Sequence, residues 1–184
     1  MTDGPTIYTI GHSTRPIEEF IGLLKAHGVE QLVDVRTIPK SRRNPQYADE
    51  ALADTLPKAG IGYSWMKSLG GLRRPHKDSL NDAWRNDSFR GYADHMQTDE
   101  FQLALEELID VGSSTRTVIM CSEAVPWRCH RSLIGDALLV RGVRVLDIMS
   151  ETKAQPHKLT SFASVDGTTL PYPASEQPPE PGSS

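Results

Sequence analysis

The apolar positions of this chain come in short runs separated by stretches at helical spacing. Residues 6–10 read as a first strand. Ile17, Phe20, Ile21 and Leu24 then mark one helical face up to Gly28, with Pro16 suited to a first helical turn. Residues 32–36 read as a second strand. Residues 48–56 suggest a short helix halted by Pro57 and Gly60, and residues 61–65 a third strand weakened by Gly62. A long loop opens at Leu69-Gly-Gly, and residues 79–96 read as two short helices broken near Asn86 to Ser88. Thr98 suits the N-cap of a helix whose Phe101, Leu105, Leu108 and Ile109 face a core. A buried strand over 116–121, a helix over 132–141 capped by Gly142, and a last strand over 143–148 complete the pattern.

Strands alternating with helices predict a single-domain α/β fold, with a mainly parallel sheet of about five strands and helices on both faces. Right-handed crossovers would bring the strand C-termini to one edge. The domain is expected over residues 6–173, with residues 1–5 as an N-terminal extension. Regular patterning fades beyond Ser150, and residues 174–184, rich in Pro, Glu, Ser and Gly, are expected to be a disordered tail.

Composition narrows the function classes. The 184 residues suffice for one substantial core, and a formal net charge of -4 does not suggest a bulk nucleic-acid binder. Two local basic clusters stand out, Arg36, Lys40, Arg42 and Arg43, and Arg73, Arg74 and Lys77; each is either a solvated loop or a phosphate site. The start is polar, with no apolar signal region, and no window approaches the ~20 apolar residues of a membrane span. A cytoplasmic protein with reduced thiols and no membrane partner is expected. No cofactor motif and no oligomeric state are read from the pattern.

The stretch from Val118 to Arg131 carries most of the chemistry, placing both cysteines, an acid, a histidine and two arginines between a strand and a helix. Such groups at strand C-termini are where open α/β sheets bind ligands. Topology would gather His12, Asp34, Arg36, Cys121, Glu123, Asp147, Cys129, His130 and Arg131 on one edge. Cys121 is read either as an activated thiol near arginines or as a small buried hydrophobe. Cys129 sits nearer the helix start, where a thiolate is favoured, with packing against Trp127 as its other reading. Glu123 is the candidate general acid or base, partly desolvated beside the Pro126-Trp127 turn; a structural ion pair with Arg128 or Arg131 is the alternative.

His130 is a candidate proton shuttle or helix-start cap. His12 follows a glycine that lets a ligand approach the backbone. Arg36, Arg42 and Arg131 suit a phosphate or carboxylate, and Asp34 is expected to orient an arginine. Gly70-Gly71 is either a backbone nest for an anion or a plain turn. Trp84, Phe89, Tyr92 and Met96 are expected to pack in the core rather than stack on a base. Cys-x7-Cys-His lacks the paired short spacings of a structural zinc site, and no metal is assigned.

Several motifs occur here in one order: Gly11-His-Ser-Thr14, Val33-Asp-Val-Arg36 with Pro39 and Ser41-Arg42, Leu69-Gly-Gly71 and Phe89-Arg-Gly-Tyr92. Cys121-x-Glu123 and Pro126-Trp-Arg-Cys-His-Arg131 complete them. Together they resemble the bacterial family known as domain of unknown function 488, over about residues 6–173. That family has no established general activity, so the resemblance implies shared site residues at Cys121, Glu123, Cys129, His130 and Arg131 rather than a reaction. Ser122 stands where members often carry Ala. Asp147 stands where they often carry His, which counts against a mechanism or metal site needing that histidine. The layout is also similar to rhodanese-type thiol enzymes, but Glu123 and Pro126 interrupt the anion-cradling loop such enzymes use.

The resulting expectation is an enzyme acting on a phosphate-bearing substrate, a nucleotide or nucleic-acid end. Cys121, Glu123 and His130 would be catalytic, and His12, Arg36, Arg42, Gly70, Gly71, Cys129 and Arg131 would bind substrate. A non-catalytic nucleotide or nucleic-acid binding module and a rhodanese-like sulfurtransferase are the alternatives.

Overall fold

Runs of four to six residues form the five parallel strands, and the amphipathic stretches between them form helices that cover both sides of the sheet. The computed structural model describes residues 4–165, 167 and 169–173. Its elements run β1 (Thr6–Gly11), α1 (Ile17–Ala26), β2 (Gln31–Asp34), α2 (Asp49–Lys58), β3 (Gly62–Trp65), α3 (Asp87–His95), α4 (Asp99–Ser114), β4 (Thr117–Cys121), α5 (Arg131–Val140), β5 (Arg144–Ile148) and β6 (Ala154–Pro156). The sheet order is β3-β2-β4-β1-β5-β6. Strands β1 to β5 are parallel, and β6 pairs antiparallel with β5. The five expected strands are present, and β6 is an addition that the fading pattern after Ser150 did not foretell.

The two faces of the sheet divide the core. Ile7, Val33 and Ile119 point to the side covered by α3, α4 and α5, while Tyr8, Ile10, Leu32, Val118 and Met120 point to the side covered by α1 and α2. Every residue of the central strand β4 is buried. Thr98 caps α4 as expected, its hydroxyl accepting from the Phe101 N–H at 3.2 Å.

The expected pair of helices over 79–96 is one helix. Asn86 caps α3, and the chain before it is held by a side chain instead: the buried Asp94 accepts from the His76 N–H, the Ser79 hydroxyl and the Asn81 amide at 2.6–2.8 Å. The expected tail over 174–184 lies outside the described residues. Among the described residues no helix is long and apolar enough to cross a membrane.

Topology positions the site. Because β4 returns between β1 and β2, the C-terminal ends of all three strands lie side by side at a point where the strand order reverses, the usual ligand crevice of such sheets.

Candidate active site

Pairing between β1 and β4 continues past the strand ends, with the His12 N–H on the Cys121 carbonyl at 2.9 Å and the Ser13 N–H on the Ser122 carbonyl at 3.0 Å. Gly11 makes this possible. A Cβ there would lie 1.6 Å from the Glu123 carbonyl oxygen and 2.6 Å from an Arg131 nitrogen, so only glycine lets the 121–124 loop cross β1. The chain then turns at Ser13 with φ 51°.

Above these strand ends opens a cleft of about 810 Å³. Of the residues singled out in the sequence, His12, Arg36, Arg42, Gly71, Cys121, Glu123, Cys129 and His130 line it. Arg131 lies beneath its floor, and Gly70 is not part of its lining.

The floor is a sulfur and guanidinium cluster. Arg131, in the first turn of α5, is 1 % exposed and donates through Nη1 to the Cys121 sulfur at 3.1 Å and to the Glu123 carbonyl at 2.7 Å. Its Nη2 reaches the Ala124 carbonyl at 3.2 Å, and its buried Nε has no partner. Among the described residues no carboxylate pairs with this guanidinium. A buried charge without a counter-ion is costly, and the nearest group able to supply negative charge is the Cys121 thiol.

Burial by itself would raise the Cys121 pKa. The adjacent Cys129 thiol and the nearby Arg131 charge outweigh it and hold the thiol below its ordinary value. Cys129 moves the opposite way: burial and the adjacent sulfur of Cys121 hold it well above its ordinary value, as a neutral thiol. The Arg131 N–H lies 3.5 Å from the Cys129 sulfur.

Two neutral histidines flank the cluster. Burial lowers both to about 4. His130 Nε2 meets the Val35 carbonyl at 2.7 Å and so carries the proton; its Nδ1 is then an acceptor, 3.5 Å from the Cys129 sulfur. His12 has the other tautomer. Nδ1 donates to the Ser13 carbonyl at 2.7 Å and Nε2 accepts from Arg36 at 3.5 Å, while the ring stacks on Tyr47 with centroids 4.2 Å apart.

Three expected roles change. Arg36 is held by Asp34 in a two-pronged pair of 2.8 and 2.6 Å, which confirms the orienting role of that acid but neutralises the arginine as an anion receptor. Glu123 is neither desolvated nor ion-paired with Arg131. Its side chain is exposed at the rim, and it is the Glu123 backbone carbonyl that Arg131 holds. The Gly70-Gly71 pair serves close packing. The Gly70 N–H is spent on the Lys67 carbonyl at 2.8 Å, a Cβ at Gly70 would strike the Thr37 backbone at 2.8 Å, and one at Gly71 would press on His130 at 3.0 Å.

Positive charge concentrates at the rim instead. Arg42, Arg43 and Arg128 are exposed, line the cleft and have no carboxylate partner among the described residues; the Glu123 carboxylate is the one acid beside them. Lys40 is tied to Asp49 at 2.8 Å. An apolar ledge faces the arginines, with Ile38 and Leu72 largely exposed and Phe89 half-buried against Trp84 at 4.9 Å. Tyr92 and Met96 pack in the core as expected. Arg43, Arg128 and the ledge were not assigned to the site from sequence, because nothing local distinguishes them from solvated loop residues. Among the described residues no group of three or more His, Cys, Asp or Glu side chains is placed to hold a metal ion.

A protein-family model described as "Domain of unknown function DUF488" matches residues 16–138, more than half of the chain. The matched span includes β2, β4, both cysteines and the Arg131 turn. No curated protein and no solved structure matches the chain.

Proposed function

The chain belongs to the family described as domain of unknown function DUF488, and we propose that its cleft is the active site of a cytoplasmic enzyme acting on a phosphate-bearing substrate, a nucleotide or nucleic-acid end. The observation that carries this reading is a thiol at the cleft floor that faces a buried guanidinium, beneath a rim of three arginines, none of the four with a carboxylate partner among the described residues.

In this reading Arg42, with Arg43 and Arg128, holds the phosphate, and the apolar ledge of Ile38, Leu72 and Phe89 takes the base or sugar face. The Cys121 thiolate attacks the electrophilic centre of the substrate. A bond to sulfur forms while the leaving group departs with its electron pair and takes a proton through Glu123, which stands open to both substrate and water. Water or an acceptor then displaces the sulfur. Arg131 acts as a positioning residue that keeps Cys121 ionised, His12 and Arg36 form the wall, and neutral His130 holds the Cys129 side of the floor. The free cysteines support a reducing location.

The test is a thermal-shift panel of inorganic phosphate, nucleoside monophosphates, sugar phosphates and short single-stranded oligonucleotides. The expected result is protection by a nucleotide or oligonucleotide, retained in Cys121→Ser and lost in the Arg42→Ala/Arg128→Ala double variant. Turnover of the protecting compound should vanish in Cys121→Ser and in Glu123→Gln. Binding with turnover unaffected by both variants would remove the catalytic assignment, and protection by none of the panel would remove the phosphate site. Binding without turnover would favour the binding-module reading. Persulfide formed on Cys121 by thiosulfate would favour sulfur transfer.

A further inference from the structure

Cys129 has no part in the chemistry proposed above, yet its sulfur lines the same cleft and shares Arg131 with the first: the Arg131 N–H lies 3.5 Å from the Cys129 sulfur and Nη1 lies 3.1 Å from the Cys121 sulfur. We propose that Cys121 and Cys129 form a reversible intramolecular disulfide on oxidation by peroxide, with Cys121 as the reacting sulfur and Cys129 as the resolving one. The modification uses the Cys121 thiolate of the proposed active site but requires no substrate.

Four features lead to this assignment. The two cysteines are the whole complement of the chain, and both are free. The Arg131 guanidinium, 3.1 Å from the Cys121 sulfur, supports charge there and has no competing carboxylate among the described residues. His130 presents an unprotonated Nδ1 at 3.5 Å from the Cys129 sulfur, an acceptor that holds the thiol in place. Cys129 lies between the 3₁₀ turn Pro126–Arg128 and the start of α5, so its backbone belongs to a connection rather than to the interior of an element.

The chemistry balances with hydrogen peroxide as the oxidant. The Cys121 thiolate gives an electron pair to one peroxide oxygen, the O–O bond breaks, and hydroxide leaves and takes back the proton that Cys121 released to solvent on ionising, leaving a sulfenic acid. Cys129 then attacks the Cys121 sulfur. The S–S bond forms, the S–O bond breaks, and the departing hydroxide takes up the Cys129 proton as water. Two thiols and one peroxide thus give one disulfide and two waters. An external dithiol reverses the change by exchange. While it lasts, the nucleophile is capped, so catalytic turnover stops in the oxidised protein.

The full-length reduced chain is treated with a small excess of hydrogen peroxide, quenched with N-ethylmaleimide and weighed intact. The expected product has lost two hydrogens, carries no maleimide, and after trypsin yields residues 117–128 linked to residues 129–131. Dithiothreitol should restore two maleimide sites. In Cys129→Ser the reaction should halt at a sulfenic acid that dimedone traps on residue 121, and Cys121→Ser should remain unoxidised at the same dose. Two intact thiols after treatment, an intermolecular dimer, or dimedone labelling of wild type equal to that of Cys129→Ser would each overturn the proposal. The mass readout needs no substrate, so its failure leaves the phosphate-enzyme reading standing. Failure of the ligand panel likewise leaves the disulfide standing.

Discussion

His157 clasps the last described segment to the body of the domain, and its titration gives a quantitative test of the fold. Its Nε2 donates to Asp136 on α5 at 2.9 Å, and its Nδ1 faces Asp147 on β5 at 3.5 Å. Asp136 also accepts from the Tyr172 hydroxyl at 2.8 Å and from the Thr160 N–H at 3.1 Å, so one carboxylate gathers three points of the segment. Burial alone would depress the imidazole, but the hydrogen bonds and charges of Asp136 and Asp147 outweigh it and raise the pKa from 6.5 to about 9. A group whose folded pKa is raised contributes stability that is fully present below its unfolded pKa and is lost as pH climbs through the folded value. At 1.36 kcal/mol per unit, the shift corresponds to about 3 kcal/mol. His157→Gln removes the charge and keeps one donor. Urea unfolding of both proteins should therefore show a stability gap of about 3 kcal/mol near pH 6 that closes progressively up to roughly pH 9.5. A gap that stays constant over that range would refute the argument, since a packing loss does not titrate.

Other expectations follow from the site. Arg131→Met should raise the apparent pKa of Cys121, read by ultraviolet thiolate absorbance, because the guanidinium no longer opposes burial and only the adjacent Cys129 and the Glu123 backbone still do; loss of the bonds to the Glu123 and Ala124 carbonyls should lower stability by about 2–4 kcal/mol. Gly11→Ala places a methyl 1.6 Å from the Glu123 carbonyl, so a loss of roughly 3 kcal/mol or more is expected in chemical denaturation. Arg42→Ala and Arg128→Ala should each weaken oligonucleotide binding and reduce its salt slope by about 1, measured by fluorescence anisotropy at several salt concentrations. An unchanged slope would place the phosphate elsewhere.

How much was legible in the sequence depended on whether a feature was local. Strands β1, β2, β4 and β5 announce themselves by β-branched and apolar runs, and α4 by Thr98 and a clean apolar face, so the sheet and its reactive edge could be drawn in advance. Strand β6 could not. Ala154-Gln-Pro156 has no strand signal of its own and exists because β5 offers an edge and His157 ties it down. The helix expected before Asn86 failed because Asp94 collects the polar groups of that stretch, a contact set by tertiary packing. Residue types were easier to place than their directions. Glu123 and Arg131 both reached the site, but one turned its carboxylate to solvent and gave up its carbonyl, while the other turned inward.

The two buried arginines show why direction decides function. Arg36 and Asp34 stand two residues apart at the end of β2, so their side chains share a face and fork together. That pair is electrically closed, and its role is to shape the wall against His12 and Tyr47. Arg131 enters from a helix start on the other side of β4, where the loop it meets offers only carbonyl oxygens and a sulfur. Carbonyl dipoles meet its two Nη groups but leave its Nε and its charge unanswered. The remaining demand falls on Cys121, and the energy that would otherwise penalise burial of Arg131 lowers the pKa of a thiol at the ends of three strands. Replacing Asp34 should therefore perturb the cleft's shape, while placing a carboxylate beside Arg131 should silence Cys121 without disturbing the fold around it.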